Sequence, residues 1–270
     1  PAGLVKCLHG LGVKAAALTD HNTVSGIKEF KNACRERDIK FVAGLELYVK
    51  LGTKDFNILW YNFDEDNPKL HDMLRQSQIL RRDKFRLALK KLNRIGFKID
   101  VNKVLDKYNH YVPINKVIDE IVAEPQNKKK LQRELRNDHV REESVIINYL
   151  RHPRVGGLKN SFISFERVVK LRDEVGGHLV LAHPTKHHHI NKESLLKLRE
   201  FGLDGIEVLS PHHSLGSLMM LQHLARELDL IMTGGSDYHR SEGRGHLIQN
   251  AWNYYDIDSK YLKGVREIIG

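Results

Sequence analysis

The sequence predicts an α/β fold in which parallel strands alternate with crossover helices. Short apolar, β-branched runs bounded by glycine or polar residues recur along the chain, and segments of helical period lie between them. At 270 residues the chain fits either one α/β barrel or two ordinary domains.

In chain order, residues 15–18 (AAAL) form the first predicted strand, and residues 24–37 carry the helical period that follows it. Asp20 and His21 stand between the two; as bland turn formers they would precede a helix capped by Asn22 or Thr23. Further strands are predicted at 41–48 and 56–61. Residues 67–159 differ: they are entered through the linker-like DEDNP at 64–68, carry the helical run HDMLRQSQILRRDKFRLALKKLNRIGF, break at EPQNKKK and offer no strand pair. That stretch is read as a helical insertion subdomain within a barrel domain formed by residues 1–66 and 160–270. The alternation then resumes, with helices at 165–175, 192–201 and 215–228 and strands at 177–182, 205–209 and 230–233.

Of the net charge of +10, the whole excess sits in the insertion: residues 69–159 hold 22 Lys and Arg against 11 Asp and Glu, leaving the remainder at −1. A basic segment of this kind is either a solvated face or a surface for nucleotide or nucleic acid phosphates. Cys7 and Cys34 are too few for a disulfide framework or a thiolate metal site, which suits a reducing cytoplasm. The sequence has no apolar run long enough to span a membrane and nothing like a signal peptide at its start, so a cytoplasmic protein without membrane partners is expected.

The chemistry collects at predicted strand ends. Asp20 and His21 follow the first strand, Glu46 lies within the second, His183 ends LVLAHPT, His212 and His213 end EVLSPHH, and Asp237 and His239 end GGSDYH. In α/β barrels such positions converge on one rim. Burying so many ionisable groups without compensation is costly, and mixed His, Asp and Glu donors suit Zn, Mn or Fe. Asp237-x-His239 aims two ligands at neighbouring ions, with Glu46 able to bridge them. The tract His187, His188 and His189 reads as an adventitious binder in a polar loop. His9, His71, His110, His139, His152, His178, His223 and His246 lack a convergent partner and are read as surface or packing residues.

The motifs LTDHNTVSG, VAGLELYV, VLAHPT, GIEVLSPHH and GGSDYH, in this order, resemble the PHP family, the polymerase and histidinol phosphatase superfamily, in its nucleotidase and exonuclease branch. The resemblance covers nearly the whole chain. It implies a distorted (β/α)7 barrel with a helical insertion, holding two or three divalent metal ions and hydrolysing phosphate esters of nucleotides or short RNA or DNA. By position, His21, Glu46, Asp237 and His239 match family metal ligands, His213 matches a histidine near the substrate phosphate, and His183 sits in the AHP motif at the same rim. On this reading His183 or His213 contacts phosphate or protonates the leaving oxygen.

Three departures accompany the match. The family opens with a strand bearing His-x-His, whereas this sequence starts at PAGLVKCLHGLGV, so the barrel is expected to lack its first strand. Asn57 stands where the family commonly has histidine, and Asn115 is the counterpart of a histidine in the insertion, with no arginine beside it. Asparagine is the poorer ligand for these metals, and a missing arginine removes a bidentate phosphate clamp. Two functions are therefore carried forward: a metal-dependent phosphoesterase impaired in this chain, and a PHP-like nucleic-acid-binding module.

Overall fold

A computed structural model describes residues 1–152, 155, 158–186, 190–239 and 257–270. The chain forms two compact units, one comprising Pro1–Leu70 and Ile163–Gly270, the other His71–Phe162.

In chain order the elements are α1 (Ala2–Gly10), β1 (Ala15–Ala17), α2 (Ile27–Arg35), β2 (Lys40–Val42), β3 (Gly44–Leu51), β4 (Lys54–Tyr61) and α3 (Pro68–Arg94). They are followed by α4 (Val101–Leu105), α5 (Ile114–Ala123), α6 (Pro125–Leu135), α7 (Glu142–Val145), β5 (Ile163–Ser164) and α8 (Phe165–Val175). The last are β6 (His178–Leu181), α9 (Lys192–Glu200), β7 (Gly205–Leu209), α10 (Leu215–Glu227), β8 (Ile231–Gly234) and α11 (Arg266–Ile269).

The first unit is built on a six-stranded sheet of order β5-β3-β4-β6-β7-β8 and a two-stranded sheet of β1 and β2. The predicted strand at 41–48 is in fact two strands. It breaks at Ala43, whose carbonyl accepts the Asn62 amide; β2 pairs with β1, while β3 enters the larger sheet. The expectation of parallel strands throughout is also corrected, because β4 runs antiparallel to both β3 and β6. A turn through Gly52, at φ 59°, joins β3 directly to β4, and a connection that short can link only antiparallel neighbours. Strands β6, β7 and β8 are parallel, as expected from the helices between them.

Segment 20–22 ties the two sheets together. It runs beside β3, with the Glu46 amide donating to the Asp20 carbonyl at 3.2 Å and the Asn22 amide to the Glu46 carbonyl at 2.8 Å. This overturns the capping role given to Asn22. Its side chain is buried and accepts the Tyr48 amide at 3.0 Å, and α2 starts only at Ile27, behind Gly26, with no side-chain cap. Thr23 instead accepts the Ser25 amide in a local turn. Helix α2 is held by packing: Ile27, Phe30, Ala33 and Cys34 are buried along one face. Helices α8, α9 and α10 are capped by Ser164, Asn191 and Ser214.

The second unit is helical and closes on its own apolar core, including Phe85, Leu89, Leu92, Leu105, Val117, Ile121 and Leu131. Two buried polar side chains organise it. Arg81 donates to the Val112 carbonyl and lies over the rings of Phe85 and Tyr111. Asn127, fully buried, accepts the Lys98 amide and donates to the carbonyls of Lys98 and Ile121, fastening the turn after α3 to α5 and α6.

Candidate active site

Strand alternation places Glu46. On β3, Leu45, Leu47 and Val49 are fully buried on one face, so Glu46 and Tyr48 project from the other. In the antiparallel register Tyr48 faces Asn57 on β4, which puts Asn57 beside Glu46. The Asn57 amide donates to Glu46 Oε1 at 2.7 Å. His183 Nε2 lies 3.3 Å from the same oxygen, and His21 Nδ1 lies 3.5 Å from Oε2.

His183 follows β6 in a turn with φ 28°, left-handed for a non-glycine residue. Its amide donates at 2.8 Å to Oε2 of Glu207, a buried carboxylate on β7. The other oxygen of Glu207 lies against Gly235, where a Cβ would come within 2.5 Å of it. Just beyond β8, Asp237 is also left-handed, at φ 49°. Asp237 Oδ2 meets His212 Nε2 and Lys186 Nζ, each at 2.6 Å, and its Oδ1 lies 3.4 Å from His239 Nδ1.

These contacts close on themselves. Glu46 touches His21, whose ring is 5.9 Å from that of His239; His239 touches Asp237; Asp237 touches His212, whose ring is 5.8 Å from that of His183; and His183 returns to Glu46. Six side chains from five separated segments thus surround one small region. His21 is further braced by stacking on Tyr48, with centroids 4.4 Å apart.

His213 stands behind this ring. Its Nδ1 donates to the Val208 carbonyl at 2.8 Å, which fixes the neutral tautomer with a lone pair on Nε2. That Nε2 is shut off from solvent and has no hydrogen-bond partner among the described residues.

The electrostatics follow from burial set against these partners. Burial alone would raise the Glu46 carboxyl, but the imidazoles of His21 and His183 outweigh it and hold the group well below its ordinary range. Asp237 is likewise held down, against its burial, by His212, Lys186 and His239. Glu207 goes the other way: desolvation, only partly opposed by His183, pushes it up to about 7. Burial also raises Asp20 and, against the pull of the Val208 carbonyl, lowers His213.

Sequence reasoning passed over Glu207 and Lys186. The signal for Glu207 was a carboxylate inside the apolar run GIEVL, where an unpartnered charge is costly. Lys186 was hidden beside the histidine tract at 187–189, which lies outside the described residues, as does His246. Asn115 belongs to the second unit, where its Oδ1 accepts the Lys116 amide at the start of α5.

Carboxylates and imidazoles from several strand ends of an α/β sheet are thus gathered within one unit. The PHP domain signature matches residues 2–154, and the chain belongs to the PHP domain family. It is 25% identical over 244 residues to a 5′-3′ exoribonuclease of Haemophilus influenzae, covering 88% of this chain and 84% of that protein. It is 26% identical over 242 residues to a phosphoribosyl 1,2-cyclic phosphate 1,2-diphosphodiesterase of Eggerthella lenta, covering 86% of each. Among solved structures, a candidate metal-dependent phosphoesterase from Bifidobacterium adolescentis superposes with a TM-score of 0.74 at 21% identity, covering 100% of this chain and 90% of that one, which shows the shared fold.

Proposed function

We propose that this chain is a metal-dependent phosphoesterase acting on nucleotide or oligonucleotide phosphate esters. The observation that carries the reading is the closed ring of Glu46, His21, His239, Asp237, His212 and His183. The family and the exoribonuclease relative support the substrate class.

By donor chemistry the residues suit a divalent ion, while no three His, Asp or Glu side chains among the described residues already stand as a formed metal site. The donor set is carboxylate oxygen and imidazole nitrogen, the combination suited to Mn, Zn or Fe. Glu46, His21, Asp237 and His239 are the residues that would hold metal. When bound, such an ion neutralises phosphate charge and lowers the pKa of an attacking water.

The chain's own residues supply the remainder. Lys186, on the turn after β6, presents an ammonium at the mouth of the Asp237 cluster, where it can pair with a phosphate oxygen. His183 is positioned to contact phosphate or deliver a proton to the leaving oxygen, and its orientation is set from behind by Glu207. Asn57 holds Glu46 Oε1 by a hydrogen bond and so competes with a cation for that oxygen, which is a reason to expect slower turnover than in relatives with an imidazole there.

The test is hydrolysis of nucleoside bisphosphates and of 5′-phosphorylated RNA with Mn²⁺ present. Removing the side chain in His239→Ala is expected to lower kcat by about 10²-fold or more. Absence of any hydrolysis sensitive to that substitution would sink the assignment and leave the binding-module reading.

A further inference from the structure

The second unit presents a group of cations with no side-chain partner among the described residues. Lys90, Lys91 and Arg94 end α3, Lys98 lies in the turn that follows, and Lys128 and Lys129 lie in the first half of α6. All six are exposed, and none forms an ion pair or hydrogen bond through its side chain among the described residues. The arginines further back along the same helix contrast with them: Arg81 is buried on a carbonyl, Arg82 binds two carbonyls and Asp106, and Arg86 binds Asn102. In the NKKK tract only Lys130 is paired, with Glu134 at 2.6 Å.

The six come from three consecutive or adjoining segments, α3, the turn after it and α6, and the buried Asn127 clamps that turn to α6. Through it the Lys98 backbone is bonded to the start of α6, and Lys130 Nζ lies over the Phe97 ring of the same turn. Like charges one helical turn apart, as at Lys90 and Arg94, repel each other. For Lys91 and Arg94 the α3 macrodipole offers some compensation, since cations are favoured at a helix C-terminus. It offers none to Lys128 and Lys129, which stand near the N-terminus of α6, where no acidic residue occupies the first turn. Fold stability therefore does not account for the cluster.

We propose that this corner of the helical unit is a docking surface for the phosphate backbone of a single-stranded polynucleotide. The proposal goes beyond the phosphoesterase reading and is confined to the helical unit: its corner grips an oligonucleotide through several phosphates and not a free mononucleotide. Charge complementarity selects the partner. Ammonium and guanidinium groups neutralise successive phosphates and release counterions, with no requirement for base sequence.

The test measures binding of a labelled single-stranded RNA or DNA of about twelve nucleotides by anisotropy across a salt series, a length within the usual site sizes for such surfaces. Both strand types are measured on the full chain in a His239→Ala background, so that no strand is consumed. Replacing Lys90, Lys91 and Arg94 by glutamine is expected to weaken binding about tenfold or more at low salt and to reduce the slope of log K against log salt by about two, since each lost contact contributes about 0.7. Lys128→Gln with Lys129→Gln, on a different helix, should act in the same direction. A control chain neutralised at the exposed Lys6, Lys28 and Lys170 of the other unit should keep most of the affinity.

Unchanged affinity and slope in both corner variants would overturn the proposal, as would an equal loss in the control or binding to anionic lipid vesicles without binding to oligonucleotide. Because this readout needs no turnover, its failure and the failure of the hydrolysis test are seen separately.

Discussion

Glu207 is the residue at which structure and chemistry depend most closely on each other. It accepts the amide of His183 and so holds the left-handed turn that carries the imidazole back to Glu46. Its carboxyl is raised to about 7 from an ordinary 4.5. Between those values the unfolded chain has lost the proton and the folded chain retains it, so this group makes stability fall as pH rises from about 4.5 to 7. The linkage amounts to about 3 kcal/mol at most. In chelator, chemical denaturation from pH 5 to 8 should therefore show a decline that Glu207→Gln flattens; an identical pH slope in wild type and variant would exclude the role. Legibility at this scale was uneven for a physical reason. Residues just past strand ends stand out in a sequence because the apolar pattern stops there, as at His21, His183, Asp237 and His239. Glu207 lies inside an apolar strand, and its partner is a backbone amide, which no side-chain pattern records.

Among the elements, helices were read more faithfully than strands. Helix α8 falls on the predicted range, and α9 and α10 end one residue short of it. The run VAGLELYV hid a break, because a β-strand that changes sheets keeps its apolar composition across the change. The orientation of β4 was hidden too, since strand direction is set by the length of the connecting turn and not by the strand itself. In the helical unit, the polar break EPQNKKK was visible, but not that Asn127 within it is the buried clamp between α6 and the turn after α3. Its three hydrogen bonds all go to backbone groups, the Lys98 amide and the carbonyls of Lys98 and Ile121. Asn127→Ala is expected to destabilise the protein by about 2–4 kcal/mol through unsatisfied buried groups and the space left behind. Thermal or urea unfolding measures it, and a loss below about 0.5 kcal/mol, the usual scale of surface changes, would show that the clamp is dispensable.

For the whole molecule, the arrangement separates two electrostatic tasks. The first unit gathers acidic oxygens and imidazoles at its strand ends, with Glu46, His183 and Glu207 buried, while the second carries the excess positive charge on exposed helices. No helix among the described residues is long and apolar enough to cross a membrane. A cluster that holds Glu46 and Asp237 ionised despite burial offers anionic oxygens to a divalent cation, and a ligand that binds only the folded state raises its stability. Mn²⁺ at about a hundred times its dissociation constant should therefore stabilise the protein by about 2.7 kcal/mol, seen as a higher unfolding midpoint and reversed by chelation. Glu46→Gln removes the charge while keeping the shape and a hydrogen-bonding oxygen for Asn57, so it should fold yet lose most of the Mn²⁺-dependent shift. Neutralising Lys128 and Lys129 should leave that shift intact, because those residues act on phosphate rather than on the cation. A midpoint shift that survives Glu46→Gln would place the ion away from the strand-end ring, and the phosphoesterase reading would lose its physical basis.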